Sequence, residues 1–221
     1  MELSENDLAA YLAEHPDFFE RHAELLATVQ LSSPHGNRAV SLQERQIEMV
    51  RDKMRALEHR LAELMRNAAD NEVLSSRLLA WARALLLQTD AAALPRTLVE
   101  QLREGFDLPL AALRIWGVRP EYAGLPEAAT VGEDIPVLAN SLSQPYCGAN
   151  AGFEAARWLD AQPQSLALVA LRPAPQAAAF GLLVLGSPQS DRFTADMGTE
   201  FLARAGEVAA AALQRLVQAS A

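Results

Sequence analysis

The sequence predicts an α+β domain with a central, mainly antiparallel sheet, preceded by a long coiled-coil-forming helix and short N-terminal helices. Residues 41–88 contain neither proline nor glycine, and their apolar residues recur at alternating spacings of three and four. Residues 165–171 and 180–186 are apolar on both faces, as is typical of central strands covered on each side. We therefore divide the chain into N-terminal helices and a connector (1–40), a long signalling-type helix (41–88) and a globular domain (71–221) that overlaps the end of this helix.

Residues 1–31 are predicted to form two short helices. Ser4 suits the N-cap of the first, because Asp7 stands three residues further on, as in an acidic relative of the capping box. Pro16 suits the first turn of the second helix. The turn-rich residues 32–40 are predicted to be a connector.

The start of the long helix has two interpretations. Ser41 is a good N-cap with Glu44 at its N3 position. His35 and the string Ser41–Gln46 are therefore interpreted as connector and cap. The alternative is a partner-binding site, because loop residues often carry function.

The long helix is predicted to pair with a second copy of the chain. With Ile47 at position a, the successive d and a positions hold Val50, Met54, Leu57, Leu61, Leu64, Ala68 and Asn71. At ~1.5 Å per residue such a helix is roughly 70 Å long, too long for the preceding residues to cover. A parallel homodimer is predicted, and the g and e positions of Lys53 and Glu58 suit an interhelical pair in it. The alternative is partial cover from within the chain by Phe18 and Phe19.

Past Asn71 the helix is predicted to face the globular domain through a wider apolar set: Leu74, Leu78, Leu79, Trp81, Leu85 and Leu86. Next come a helix at 94–104 that ends at Gly105, a strand at 110–118, a long loop at 119–133 and a short helix at 135–142.

The strands at 165–171 and 180–186 are predicted to form an antiparallel hairpin in one sheet with 110–118. A final helix is predicted to start at Thr194, with one face formed by Phe193, Met197, Phe201, Ala205, Val208, Ala212 and Leu216. Gly198 and Gly206 would let a neighbour approach this helix closely.

Composition excludes several classes of function. The net charge of −9 argues against nucleic acid as a partner, since that binding requires clustered Lys and Arg. No run approaches the roughly 18 apolar residues of a membrane span, so we expect neither a membrane partner nor a secretory signal, and cytoplasmic residence. All four histidines precede residue 71, which leaves the globular domain without an imidazole for catalysis or metal binding.

No catalytic constellation is visible in the sequence. It has no Walker loop, no Rossmann fingerprint and no nucleophile elbow. Cys147, the single cysteine, is either inert packing or a redox or attachment site. We therefore expect no enzyme activity, no cofactor and no metal.

Several strings resemble an uncharacterised bacterial family, the domain of unknown function 484, whose fold is GAF-like. They are Tyr11-Leu-x-x-His-Pro-Asp-Phe-Phe19, Pro34-His35, Val40–Gln46, Cys147-Gly148, Phe180–Ser187, Asp191-Arg-Phe193 and Met197-Gly-Thr199. They are spread over nearly the whole chain. The order of elements likewise resembles a GAF-type sensory domain carried on a signalling helix. The resemblance implies a GAF-like fold and brings no established activity or ligand.

GAF-like folds form a pocket between the sheet and its loop face. In this chain Trp116, Tyr146, Cys147 and Arg172 are the candidates to line it. Arg172 ends an otherwise apolar strand, so it is either a solvent-facing residue at the strand edge or an anchor for an anionic ligand. The expected function is a non-enzymatic dimeric regulatory module that binds a small ligand or a protein partner. The alternative is a scaffold or adaptor without a small-molecule ligand.

Overall fold

The computed structural model of the protein describes residues 4–28, 30–33 and 36–218, with side chains described outside residues 26–44. The chain divides into two compact units, Met1–Ala69 and Asp70–Ala221. The predictions for His35 and for the side chain of Ser41 lie outside the described residues.

The first unit begins with three short helices, α1 (Glu5–Glu14), α2 (Phe18–Arg21) and α3 (Ala23–Thr28). The capping box at α1 is confirmed, because the Asp7 backbone N–H donates to Ser4 Oγ at 3.2 Å and the Ser4 N–H donates to Asp7 Oδ2 at 3.1 Å. The Ser4 hydroxyl also donates to Asp7 Oδ2 at 2.6 Å, and this bond, together with that from the Ser4 N–H, lowers the pKa of Asp7 below its ordinary value. The second predicted helix is in fact two helices, separated at His22.

The predicted connector contains a β-hairpin instead. Strands β1 (Gln30–Ser33) and β2 (Gly36–Ser41) pair antiparallel. Serine and glycine are poor strand formers, so the composition of this stretch predicts a loop. Pairing between the two backbone segments overrides that local preference. Helix α4 (Leu42–Leu87) follows directly, which confirms the long helix.

The second unit carries the sheet. After α4 its elements are α5 (Leu94–Gly105), β3 (Leu110–Ile115), α6 (Asp134–Ser141), β4 (Tyr146–Ala149), β5 (Ser165–Leu171), β6 (Gly181–Ser187) and α7 (Glu200–Leu213). The four strands lie in the order β3-β6-β5-β4, and every neighbouring pair is antiparallel. The predicted α+β class, with its three strands in one mainly antiparallel sheet, is confirmed.

Strand β4 was not predicted from the sequence. It is four residues long, follows Pro145 and contains Gly148, so its local composition indicates a turn. It forms because β5 offers it a free edge, where a neighbouring proline is tolerated. The predicted strand at 110–118 is shorter than expected and ends at Ile115, and the loop after it contains two 3-10 turns.

The sheet separates two apolar layers. Alternate residues of β5 and β6, such as Val169 and Leu183, face a layer formed by α5, α7 and the end of α4, which we call the helix face. The residues between them, such as Leu168 and Val184, face α6 and the turn at Glu154–Trp158, which we call the loop face. Both layers are buried, so the two-sided apolar character of these strands is explained.

The final helix starts later than predicted. Helix α7 begins at Glu200 with Thr199 at its N-cap, and Thr194 precedes it in a turn. The close approach predicted at Gly206 is confirmed, because a Cβ there would lie 2.6 Å from Val169 Cγ1. At Gly198 the prediction is wrong, since a Cβ would meet nothing within 4 Å.

Helix α5 ends in a Schellman motif. The Leu108 N–H donates to the Arg103 carbonyl at 2.9 Å, and the residue between helix and loop with a left-handed backbone is Asp107, at φ 52°. Gly105, which the sequence suggests as the stop, is the last helical residue. Aspartate tolerates this conformation better than most residues, because its short side chain bonds locally.

Candidate functional site

Trp116 lies at the opposite edge of the sheet from Tyr146 and Cys147, which are neighbours on β4. Trp116 follows the outer strand β3, faces the loop-face layer and donates its indole N–H to the Ala179 carbonyl at 2.8 Å. Tyr146 lies on β4, the outer strand at the opposite edge, and also faces the loop-face layer. Its neighbour Cys147 faces the helix face, because successive strand residues point to opposite sides. The expected convergence of these residues is therefore not observed.

Arg172 is neither solvent-facing nor free to hold an anion. Its Nη2 donates to the carbonyls of Ala139, Asn140 and Leu142 at 2.8, 3.0 and 3.1 Å. Its Nη1 donates to the Ala177 carbonyl at 2.7 Å. Three of these carbonyls belong to the C-terminal end of α6, where the negative end of the helix dipole stabilises a cation. Arg172 thus caps α6 and fastens it to the β5–β6 connection.

The expected pocket on the loop face is filled by side chains. Sheet residues Leu166, Leu168 and Leu182 are fully buried there against Ile135 and Ala139 of α6. Gly186 marks how tight this layer is, because a Cβ there would lie 2.6 Å from Leu159 Cδ1. A glycine in a strand often marks such a close approach, and Gly186 serves close packing here.

A cavity of about 720 Å³ lies on the helix face instead. Its apolar lining includes Leu102, Phe106, Leu108, Leu183, Leu185 and Phe193. One wall comes from the start of the second unit's part of α4, through Asn71, Leu74 and Arg77. Its volume and apolar lining are those of a small-molecule site.

The rim of this cavity carries charges of both signs. Arg77 lies 3.4 Å from the Asp107 carboxylate and donates to the Gly105 carbonyl at 3.2 Å. Arg192 donates to the Phe106 carbonyl at 3.2 Å. Asp191 and Glu200 complete the charged rim. Two cations and three carboxylates leave no excess of positive charge, so the rim does not favour an anionic molecule.

A smaller cavity, of about 330 Å³, lies beside Arg172. It is lined by the Pro173–Pro175 segment, by Gln144 and Pro145 and by Ala203 and Gly206 of α7. The donors of Arg172 are directed to carbonyls, so this cavity gains little charge recognition from it.

Cys147 is an internal packing residue of the helix face. It is 7% exposed, and burial raises the pKa of its thiol. The raised pKa lowers the fraction of reactive thiolate at neutral pH, and the burial lowers the access of solvent to the sulfur. We therefore favour packing over a redox or attachment role.

We predict that native Cys147 reacts with dithiobisnitrobenzoate at pH 8 at least about tenfold more slowly than the same thiol in the chain unfolded by guanidinium chloride. The rate in the native protein should rise with pH, because the raised pKa leaves more thiol to be deprotonated. Equal rates in the folded and unfolded chain would contradict the packing role.

The seam residues of α4 are exposed in the single chain. The exposed fractions are 55% for Val50, 55% for Met54, 64% for Leu57, 58% for Leu61 and 60% for Leu64. Asn71, the last predicted seam residue, is exposed as well as being part of the cavity wall.

The domain-facing set predicted beyond Asn71 is only partly right. Trp81 and Leu85 are buried in the core, and Leu74 and Leu78 pack against it. Leu79 and Leu86 are 73% and 77% exposed. A wheel of 100° per residue could have separated them, since both lie more than 90° from Trp81.

Asn140 was missed by sequence reasoning altogether. Its side-chain oxygen accepts from the Ala179 N–H at 2.8 Å, and its carbonyl accepts from Arg172. Nothing in the local sequence marks it, because its partners are more than 30 residues away.

Within the described part of the chain, no group of three or more His, Cys, Asp or Glu side chains is placed to hold a metal ion. Over the same residues, no helix combines the length and apolar character of a membrane span.

The chain is similar to known proteins over most of its length. The family described as "Protein of unknown function, DUF484" matches residues 1–218. The uncharacterized protein YigA of Escherichia coli (strain K12) is 28% identical over 210 residues, which are 91% of this chain and 87% of YigA.

Several solved structures with a similar fold are GAF domains. The GAF domain from a phosphoenolpyruvate-protein phosphotransferase (ptsP) of Coxiella burnetii has a TM-score of 0.50 and 13% identity, over 65% of this chain and 94% of that one. The corresponding domain from Acinetobacter has a TM-score of 0.45 and 11% identity, over 63% and 92%. The fold is GAF-like, as the resemblance in the sequence implied.

Proposed function

This chain belongs to the DUF484 family, and we propose that it is a dimeric, non-enzymatic regulatory module. In this proposal its GAF-like unit binds a small molecule or a protein partner, and α4 transmits the bound state to the seam. The observation that carries the proposal is that helix α4 both walls the larger cavity and carries the exposed seam. Residues Asn71–Arg77 of α4 wall the larger cavity, and earlier turns of the same helix carry the exposed seam.

The chemistry of the cavity narrows the class of ligand. Its floor is apolar, and its rim charges are mixed and partly paired. A molecule with an apolar body and no net charge fits this lining, since burying an unpaired charge on the floor would be costly. No cofactor or metal enters this proposal.

The non-enzymatic part of the proposal rests on the reactive groups. Residues 71–221 contain no histidine. The one thiol is buried with a raised pKa, which does not suit a nucleophile.

The alternative function, a scaffold without a small-molecule ligand, is favoured by the filled loop face. Ligand occupancy separates the two. We expect native mass spectrometry of the purified full chain to detect a retained compound, or a thermal-shift screen of uncharged metabolites to find one that stabilises it. If no preparation retains a compound and no metabolite stabilises the chain, the ligand proposal is overturned and the scaffold is favoured.

A matched pair of variants on α7 tests which of the two cavities binds the small molecule. Ala205 lines the larger cavity and Ala203 the smaller one. With Nile red as an uncharged apolar probe, Ala205→Leu should weaken binding at least about tenfold by filling the space, and Ala203→Leu should leave it unchanged. Circular dichroism controls for folding. The reverse pattern would move the site to the smaller cavity.

A further inference from the structure

Leu79 and Leu86 are the two most exposed large apolar side chains among the described residues, at 73% and 77%. They lie in the second unit, on turns of α4 whose other side is buried through Trp81 and Leu85. An ordered helix that buries one side and exposes leucines on another has a second apolar face to cover.

This second face is in register with the seam. In an α-helix of 3.6 residues per turn, positions 18 apart lie on the same side, which pairs Leu61 with Leu79 and Ala68 with Leu86. An 11-residue spacing likewise connects Leu57, Ala68 and Leu79. The heptad repeat of the seam is therefore interrupted once, by the 11-residue interval from Ala68 to Leu79, and seven-residue spacing resumes from Leu79 to Leu86. Coiled coils accommodate such an interruption by local unwinding.

We propose that a second copy of this chain covers Leu79 and Leu86, so that the two-fold interface continues from the seam along α4 as far as Leu86. This inference rests on the proposed dimer and assigns part of its interface to the GAF-like unit. The turns 78–86 then lie between the unit's own core and the partner copy.

The size of the interface supports this occupant. Four of every seven residues of a paired helix lie in or beside the seam. A seam over residues 47–71 therefore gives about 14 residues per copy, below the roughly 20–30 of a stable interface. Extension to Leu86 gives about 23, within that range. Continuity with the seam also favours the same partner along the whole helix over an unrelated protein.

Cysteine cross-linking tests the inference in the full chain with Cys147→Ala as background. Leu79→Cys, Leu86→Cys and Leu57→Cys are made singly and oxidised with copper phenanthroline in air. In a parallel two-fold pair, each seam residue faces its own copy within the Cα separation of about 4.4–6.8 Å that a disulfide needs. Ala80→Cys is the matched control, because it is exposed and lies about 100° around the helix from Leu79.

We expect all three leucine positions to form covalent dimers at least about tenfold faster than Ala80→Cys. Cross-linking at residue 57 but not at 79 or 86 would overturn this inference and leave the proposed dimer intact. Equal rates at 79 and 80 would also overturn it, because they would indicate that the disulfides form by random collision and not in a specific interface. No cross-linking at any position, in a chain that sediments as a monomer, would overturn the proposed dimer as well.

Discussion

Replacing Arg172 with alanine is expected to lower the free energy of unfolding of the chain by about 2–4 kcal/mol. The guanidinium donates four hydrogen bonds of 2.7–3.1 Å to backbone carbonyls. A hydrogen bond to a charged group contributes about 1.5–3 kcal/mol, and such bonds are not additive within one network. The variant would leave the end of α6 without its cap. Urea unfolding followed by circular dichroism measures the change.

Two variants sharpen this prediction. Arg172→Lys keeps the charge but not the planar fork, so it should recover only part of the loss. Arg204→Ala, an exposed arginine on α7, should change stability by less than about 0.5 kcal/mol. If Arg172→Ala unfolds at the same urea concentration as the wild type, the carbonyl network contributes little, and the sequence-based interpretations of Arg172 return.

The double variant Leu57→Glu with Leu61→Glu is expected to be a monomer at micromolar concentration, where the proposed function predicts a wild-type dimer. The two leucines are 64% and 58% exposed in the single chain, so the monomer loses little by the change. In the proposed dimer the same positions would bring four carboxylates together in an apolar seam. The dissociation constant should rise at least about a hundredfold.

Sedimentation velocity of the full chain measures this effect. Ala56→Glu with Ala69→Glu adds the same charge at exposed positions outside the a and d register, and should remain dimeric. A wild-type monomer, or a Leu57/Leu61 variant that sediments like the wild type, would contradict the coiled-coil dimer.

Periodic patterns in the sequence predicted the fold well where they were long. The 46 residues of α4 and the strands β5 and β6 are confirmed because each pattern matches one backbone period over its whole length. The helix α5 and the short helix α6 were likewise placed within about a residue at each end.

Short or punctuated segments were predicted less well. The hairpin β1–β2 and the edge strand β4 contain the serine, glycine or proline of turns, and their pairing depends on partners that the local sequence does not contain. The start of α7 was placed too early, because Phe193 is buried like a helix residue although it lies in the turn before the helix.

The candidate pocket shows the limit of residue-by-residue reasoning about a site. Aromatic, thiol and arginine side chains were expected to converge, yet alternation along β4 sends Tyr146 and Cys147 to opposite faces of the sheet. Leucine and phenylalanine are the most frequent residues in the lining of the larger cavity, and they have no chemical signature in a sequence.

The sequence alone determined the fold class and the long helix, because these depend on periods of 3.6 and 2 that side-chain polarity records directly, and short sequence strings carried the family resemblance. The seam, which rests on the 3.5-residue period, stays a prediction. Only the tertiary structure decided which face of the sheet is filled, where the cavity lies and what Arg172 binds. Those features depend on the packing of residues that are 30 or more positions apart. Packing is set by shape and by backbone hydrogen bonds, and neither is recorded by the polarity of one residue.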